Sequence, residues 1–377
     1  MQRRTFLGLA AAAVPLLATE AVLGKGLGRE RRRLLQLNGY PSDAETPLDA
    51  LATYLTPNDL FFVRHHWQPQ LPDPAQWTLS VDGEVERPLS LTLKELKGLP
   101  STSVTCVLQC AGNGRALFTP RIPGVQWTAG AVGNARYIGV RVRELLDRAG
   151  LKATARHLHT FGADTPPRKV PPFHRSLELG KALEDAIVAY EMNGDPLPAL
   201  HGAPARLVVP GWAGDHWMKW LVRLSPQPEP QTGFYMDVAY RYPLQPGAPG
   251  TPVRPEETAP VTELLVKSSF TQVPKRAHAG RPVTVWGFAF SGTPDVSRVE
   301  VSADGGQSWK DALLDGRHDR WAWRLFSHTF VPRSRGPLTL LARATDSRGG
   351  VQPKEGVWNP SGYLHNGWAS ASLEVDA

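Results

Sequence analysis

Apolar residues fall on alternate positions at Val104, Cys106, Leu108 and Cys110, the period of a half-buried strand. The alternation stops at Ala111-Gly112-Asn113-Gly114, a turn-forming cluster, so Cys110 is placed where a strand gives way to a loop. Upstream, residues 77–83 alternate like a second strand, and Thr92-Leu93-Lys94-Glu95 has the capping-box pattern that opens a short helix. Val142, Leu145, Leu146 and Ala149 keep helical spacing, with Gly150 placed to stop the helix. Residues 186–191 read as another strand, closed by the tight-turn pair Asn193-Gly194. Strands and short helices mix without a βαβ rhythm, which predicts an α+β domain over residues 35–245.

From Pro243 to Pro260 inclusive, six prolines interrupt the chain with Gly, Glu and Thr. This composition predicts a stiff, extended linker, placed at residues 246–260. Beyond it, strand-like runs recur at short spacing over residues 283–290, 298–302, 321–330 and 338–344. Asp304-Gly305-Gly306 supplies a hairpin turn between two of them. Residues 261–377 are therefore expected to form a small β-sandwich without the cysteine pair of antibody domains.

Composition narrows the function. The chain has 377 residues and a net charge of +7, spread along its length apart from the run Arg29-Glu30-Arg31-Arg32-Arg33. No nucleic-acid motif accompanies the charge, so it reads as a solvated basic surface able to steer an anionic substrate. The absence of a G-x-G-x-x-G after a strand and of a P-loop disfavours nicotinamide and nucleotide chemistry. The only cysteines, Cys106 and Cys110, lie roughly 13 Å apart along a strand, too far for a disulfide. Arg3-Arg4-Thr5-Phe6-Leu7 ahead of a short apolar run, within residues 1–28, reads as a twin-arginine-type signal and predicts export of folded protein to the periplasm. No other segment has the length and apolarity of a membrane span.

Several residues carry candidate chemistry. A Cys110 thiolate is a soft donor suited to a metal, and Arg115, one loop away, offers a planar fork for an oxyanion. The alternative for a lone cysteine is simple packing. Phe61-Phe62-Val63-Arg64-His65-His66 leads an apolar run into three residues that can carry charge. His201, Arg206 and Lys219 surround the apolar run 207–209, a poor core unless an anion such as a phosphate or pterin compensates them. A hydrolase using Cys110 with His66 or His201 would explain the cysteine but not the surplus cations. An exported binding protein would need no metal at all.

The stretch Leu108-Gln109-Cys110-Ala111-Gly112-Asn113-Gly114-Arg115, followed by Gly124-Val125-Gln126-Trp127, Gly130-Ala131 and Asn134-Ala135-Arg136, resembles the core signature of the sulfite oxidase family of molybdopterin enzymes. The similarity runs with gaps from about Phe61 to the C-terminus. It implies a molybdenum–molybdopterin cofactor with Cys110 as the metal ligand, and an immunoglobulin-like dimerisation domain over 261–377 that would make a homodimer. It further implies that Phe62, Arg64, His65, His66, Asp164, His201, Arg206 and Lys219 contact the cofactor, with His65 standing where many relatives have asparagine. Arg64, Arg115 and Trp127 would bind substrate, and Tyr240, with Arg64, His66 and Arg115, would serve catalysis. The animal enzymes place a substrate-binding arginine at the position that is Ser361 here, so one cation is missing. The implied reaction is oxidation of sulfite to sulfate by oxygen-atom transfer; another small sulfur or oxo compound is the alternative. Without a C-x-x-C-H motif there is no haem in this chain, and electrons are expected to leave to a separate acceptor such as cytochrome c.

Overall fold

The computed structural model describes residues 33–377; the signal expected at 1–28 and the start of the basic run after it lie outside the described residues. The first part of the described chain is built on two five-stranded sheets. One runs in the order Asp195–Pro196, Ile187–Met192, Val132–Arg141, Ser101–Gln109, with Arg206–Val208 also joined to Ile187–Met192, and every pairing in it is antiparallel. The other runs Leu89–Thr92, Thr78–Val81, Leu221–Gln227, His157–Gly162, His174–Glu178, with a parallel contact only between Thr78–Val81 and Leu221–Gln227. Leu79, Leu108, Tyr137, Leu145, Leu158, Leu207 and Leu224 join both sheets and the longest helix into one core. Each such side chain contributes about 1.5–3 kcal/mol when fully buried.

Local signals are realised where the chain can satisfy them locally. Thr92 caps the helix Leu93–Lys97 reciprocally with Glu95. Val142–Ala149 buries Val142, Leu145, Leu146 and Ala149 and ends at Gly150, whose φ of +71° is left-handed. Asn193 and Gly194 both take positive φ in the turn from Ile187–Met192 to Asp195–Pro196. The second part is a sandwich. Lys267–Gln272, Val283–Phe290, Arg324–Phe330 and Leu313–Leu314 form one sheet, and Arg276–His278, Ala369–Asp376, Gly336–Asp346, Val296–Ser302 and Lys310–Asp311 the other. Phe270, Val285, Phe326, Leu340 and Val375 fill the space between. The architecture is α+β, rich in strand and poor in helix, and no helix among the described residues is long and apolar enough to cross a membrane.

Three expectations need correction. The Ser101–Gln109 strand is half-buried only at its start; Cys106, Val107, Leu108 and Gln109 are all buried. The reason is that the second part of the chain covers its free edge: Cys106 bridges in parallel to Trp321, and Val107 N–H donates to the Trp321 carbonyl at 2.9 Å. The proline-rich stretch is not a stretched spacer, since Arg241–Pro243 pairs antiparallel with Thr258–Pro260 and the chain leaves and returns to one place. Asp304-Gly305-Gly306 lies between Val296–Ser302 and a short strand, Lys310–Asp311, that its two-residue length hid from the pattern.

Candidate active site

Cys110 sits directly after the end of the Ser101–Gln109 strand, at the start of a loop stapled by its own backbone. Cys110 N–H donates to the Ala131 carbonyl at 2.9 Å, and Asn113 Oδ1 accepts from Ala131 N–H at 3.1 Å. The loop's glycines are required by close approach: a Cβ on Gly112 would lie 2.7 Å from the Arg115 guanidinium, and Gly114, at φ +90°, would strike His365.

Ten of the twelve residues singled out in the sequence line one cavity of about 760 Å³ including its mouth: Phe62, Arg64, His65, His66, Cys110, Asp164, His201, Arg206, Lys219 and Tyr240. Arg115 and Trp127 do not line it. Arg115 directs Nε to the Ser361 carbonyl (3.0 Å) and Nη1 to the Val125 carbonyl (2.9 Å), so two of its three nitrogens are engaged by backbone. Trp127 is fully buried behind the wall, edge-on to Phe62 at 6.4 Å.

Three cationic side chains line the cavity, along with the carboxyls of Asp164 and Asp215. Among the described residues, Arg64, Arg206 and Lys219 make no ion pair within 4.0 Å. Arg206 is 3% exposed and donates only to the carbonyls of His201 (2.9 Å) and Trp217 (3.4 Å), leaving Nε without a partner. Lys219 Nζ donates to the carbonyls of Arg64 and Leu200, and burial, reinforced by the Arg206 cation, holds its amine well below the usual lysine range. Burial opposes the Arg64 charge too, but Tyr240, Cys110 and Asp43 more than restore it. Burial, with the nearby cations, pushes His65 and His201 down to about 3 and His66 well below its ordinary value, so all three rings are neutral. Both His65 ring nitrogens are buried without a hydrogen-bond partner. Burial raises the Asp164 carboxyl, with Lys219 opposing.

Burial also raises the Cys110 thiol, Arg64 and Arg115 opposing, so a thiolate here needs a further positive partner. No cluster of three or more His, Cys, Asp or Glu among the described residues could hold a metal ion by itself. A single soft sulfur beside unpaired cations and orphaned polar atoms fits an anionic cofactor that brings its own metal donors.

Tyr240 stands at φ +55°, a strained backbone for an aromatic residue that costs roughly 1–3 kcal/mol. Its surroundings over-determine it. Val261 N–H donates to its carbonyl (2.7 Å), its own N–H donates to the Tyr363 hydroxyl (3.4 Å), and its ring stacks on Tyr363 at 5.3 Å. The hydroxyl shares a 2.8 Å hydrogen bond with His66 Nε2, and burial keeps the phenol protonated. Sequence reasoning missed the buried group behind this pair: Arg175, Asp215 and His216. The available signal was an arginine at the position alternating with Phe173 and Leu177, and an Asp-His pair inside the tryptophan-rich run 212–220.

Residues 65–235 match the model of an oxidoreductase molybdopterin binding domain, and residues 257–375 that of a Mo-co oxidoreductase dimerisation domain. The chain is 36% identical over 365 residues to mitochondrial sulfite oxidase of Homo sapiens, covering 92% of this chain and 66% of that protein. It is 37% identical over 347 residues to sulfite oxidase of Gallus gallus, covering 87% of this chain and 75% of that one. It therefore spans about two thirds of the length of the mammalian relatives. The crystal structure of the sulfane dehydrogenase SoxCD from Paracoccus pantotrophus superposes with a TM-score of 0.77 at 30% identity, covering 90% of this chain and 88% of that one. On these grounds the chain belongs to the sulfite oxidase family of molybdopterin oxidoreductases.

Proposed function

We propose that this protein is a sulfite dehydrogenase, most like the molybdenum subunit of the bacterial periplasmic enzymes. It oxidises sulfite to sulfate and passes the electrons to a separate acceptor such as cytochrome c. The observation that carries the reading is the set of cations without an ion-pair partner, Arg64, Arg206 and Lys219, that shares one cavity with Cys110 and Tyr240. Molybdenum–molybdopterin, when bound, supplies two-electron oxygen-atom transfer. Cys110 would hold the metal, while His65, His201, Arg206 and Lys219 would bind the anionic pterin. Arg64 would orient the substrate oxyanion with a fork that lysine cannot reproduce. Tyr240, with neutral His66 behind its hydroxyl, would hold and pass the protons released as water supplies the oxygen. Assembly as a homodimer through residues 257–375 and twin-arginine export to the periplasm complete the proposal.

One observation favours a second reading, a family member acting on another small sulfur compound. Ser361 offers the site no charge, and its carbonyl occupies Arg115. Protein matured in a molybdopterin-competent host separates the two: sulfite with ferricyanide or cytochrome c should give turnover, with sulfate as product. Turnover with thiosulfate or a persulfide but none with sulfite would transfer the assignment to the second reading.

A further inference from the structure

Behind the cavity wall lies an ion pair that the proposed chemistry does not use. Arg175, on the strand His174–Glu178, is 0% exposed and does not line the cavity. Its Nη2 donates to Asp215 Oδ2 at 2.7 Å and lies 2.9 Å from His216 Nε2. Its Nη1 donates to the Tyr235 carbonyl, in the helical turn Phe234–Asp237 that leads into Tyr240. The guanidinium carbon stands 5.5 Å from the centre of the Tyr240 ring. Asp215, unlike Arg175, does line the cavity, and its Oδ1 is buried without a partner.

One guanidinium thus ties together the backbone that delivers Tyr240, the Tyr240 ring and the Gly214–His216 turn of the cavity wall. A buried ion pair is weak grounds for stability, since an apolar pair of similar volume often serves as well. What the pair can do that apolar side chains cannot is fix direction: the fork reaches two acceptors at set angles while its charge faces the ring. Tyr240 needs such fixing, because its left-handed backbone would relax if released, and its hydroxyl must meet His66 Nε2.

We infer that Arg175, anchored by Asp215, is a positioning residue that aims the Tyr240 hydroxyl at His66 and the reacting centre. The inference rests on the proposed role of Tyr240 and adds the element that sets its geometry. It also gives Asp215 a role in a wall that carries Arg64, Arg206 and Lys219: it is the counter-charge that seats Arg175.

The test uses the holoenzyme carrying Arg175→Leu together with Asp215→Leu, which removes both charges and leaves neither unpaired. Molybdenum content should match the parent, because no proposed cofactor contact is touched. The crystal structure of the variant should show the Tyr240 hydroxyl moved out of hydrogen-bond reach of His66 Nε2. Turnover should fall by about tenfold or more with KM changed far less. Adding Tyr240→Phe should cost little further, because the two changes remove one interaction. A Tyr240 hydroxyl still bonded to His66, or a loss that adds in full to that of Tyr240→Phe, overturns the inference. If the double variant does not fold, Arg175→Lys keeps the charge without the fork and is read by the same two outcomes. The crystallographic arm involves no sulfite, so it decides the inference even if the substrate proves to be another sulfur compound.

Discussion

Buried charge is handled in opposite ways in the sandwich and around Cys110. In the sandwich, Glu300, 5% exposed, is met by Arg298 at 3.0 Å and Arg343 at 2.9 Å. Asp346 accepts from the N–H groups of Arg348 and Gly350, both at 2.9 Å. Around Cys110, by contrast, Arg64, Arg206 and Lys219 have carbonyls or nothing as partners. Both patterns occur in one chain, so the difference is informative: satisfied charge belongs to the architecture, and unsatisfied charge marks where a ligand completes the fold. Lys267 blurs the line. It is buried in the sandwich with only the His365 carbonyl for its amine, and burial pushes its pKa down to about 7.

The largest expected effect removes the sulfur. Cys110→Ser should abolish activity and thiolate-to-metal absorption while circular dichroism stays unchanged, because the loop is held by backbone contacts rather than by the thiol. Full molybdenum with full activity in this variant would break the assignment of the cavity. Next, Arg206→Met should have effects of opposite sign. Cofactor affinity should drop by about 10–100-fold, yet the cofactor-free protein should melt higher, since an uncompensated buried cation has gone. A lower melting temperature in the cofactor-free state would place Arg206 with the architecture instead.

Lys267→Met sharpens the comparison through pH. With a folded pKa of about 7 against an ordinary 10.5, the folded chain pays to protonate this amine everywhere below pH 7. Between pH 7 and 10.5 the unfolded chain binds more protons than the folded one, so parent stability rises with pH across that window. The variant should therefore exceed the parent most below pH 7, on the order of a few kcal/mol, and the gap should close toward pH 10. Denaturant titrations at several pH values read it directly, and a pH-independent gap would refute the cause. The smallest effect belongs to Glu300→Gln. It should cost about 1 kcal/mol, because Arg298 and Arg343 keep access to water, and leave molybdenum content untouched.

Much of this site was legible because its residues sit in contiguous runs. Phe62 to His66, Cys110 and the segment from His201 to Lys219 carry their chemistry within short stretches, and the structure brings them to one cavity. What was hidden depends on pairing at a distance. Arg175 and Asp215 are 40 residues apart and meet only when a strand and a loop converge. Arg115 follows Cys110 so closely that sequence placed both in the pocket, whereas the glycines at 112 and 124 let its side chain turn to backbone acceptors. The helix Val142–Ala149 and the Thr92 cap were readable because their hydrogen bonds close within a few residues. The burial of the Cys110 strand on both faces was not, since its cover arrives from Trp321.

That seam has a practical consequence for anyone dissecting the protein. Trimming the chain at the proline-rich stretch, to obtain a minimal redox unit, would peel Trp321 from Cys106 and Val107 and leave bare peptide groups just before Cys110. Such an uncovered border recruits strangers, so the fragment would self-associate at the very place where loading has to occur. Removal of the sandwich would therefore injure maturation as well as assembly.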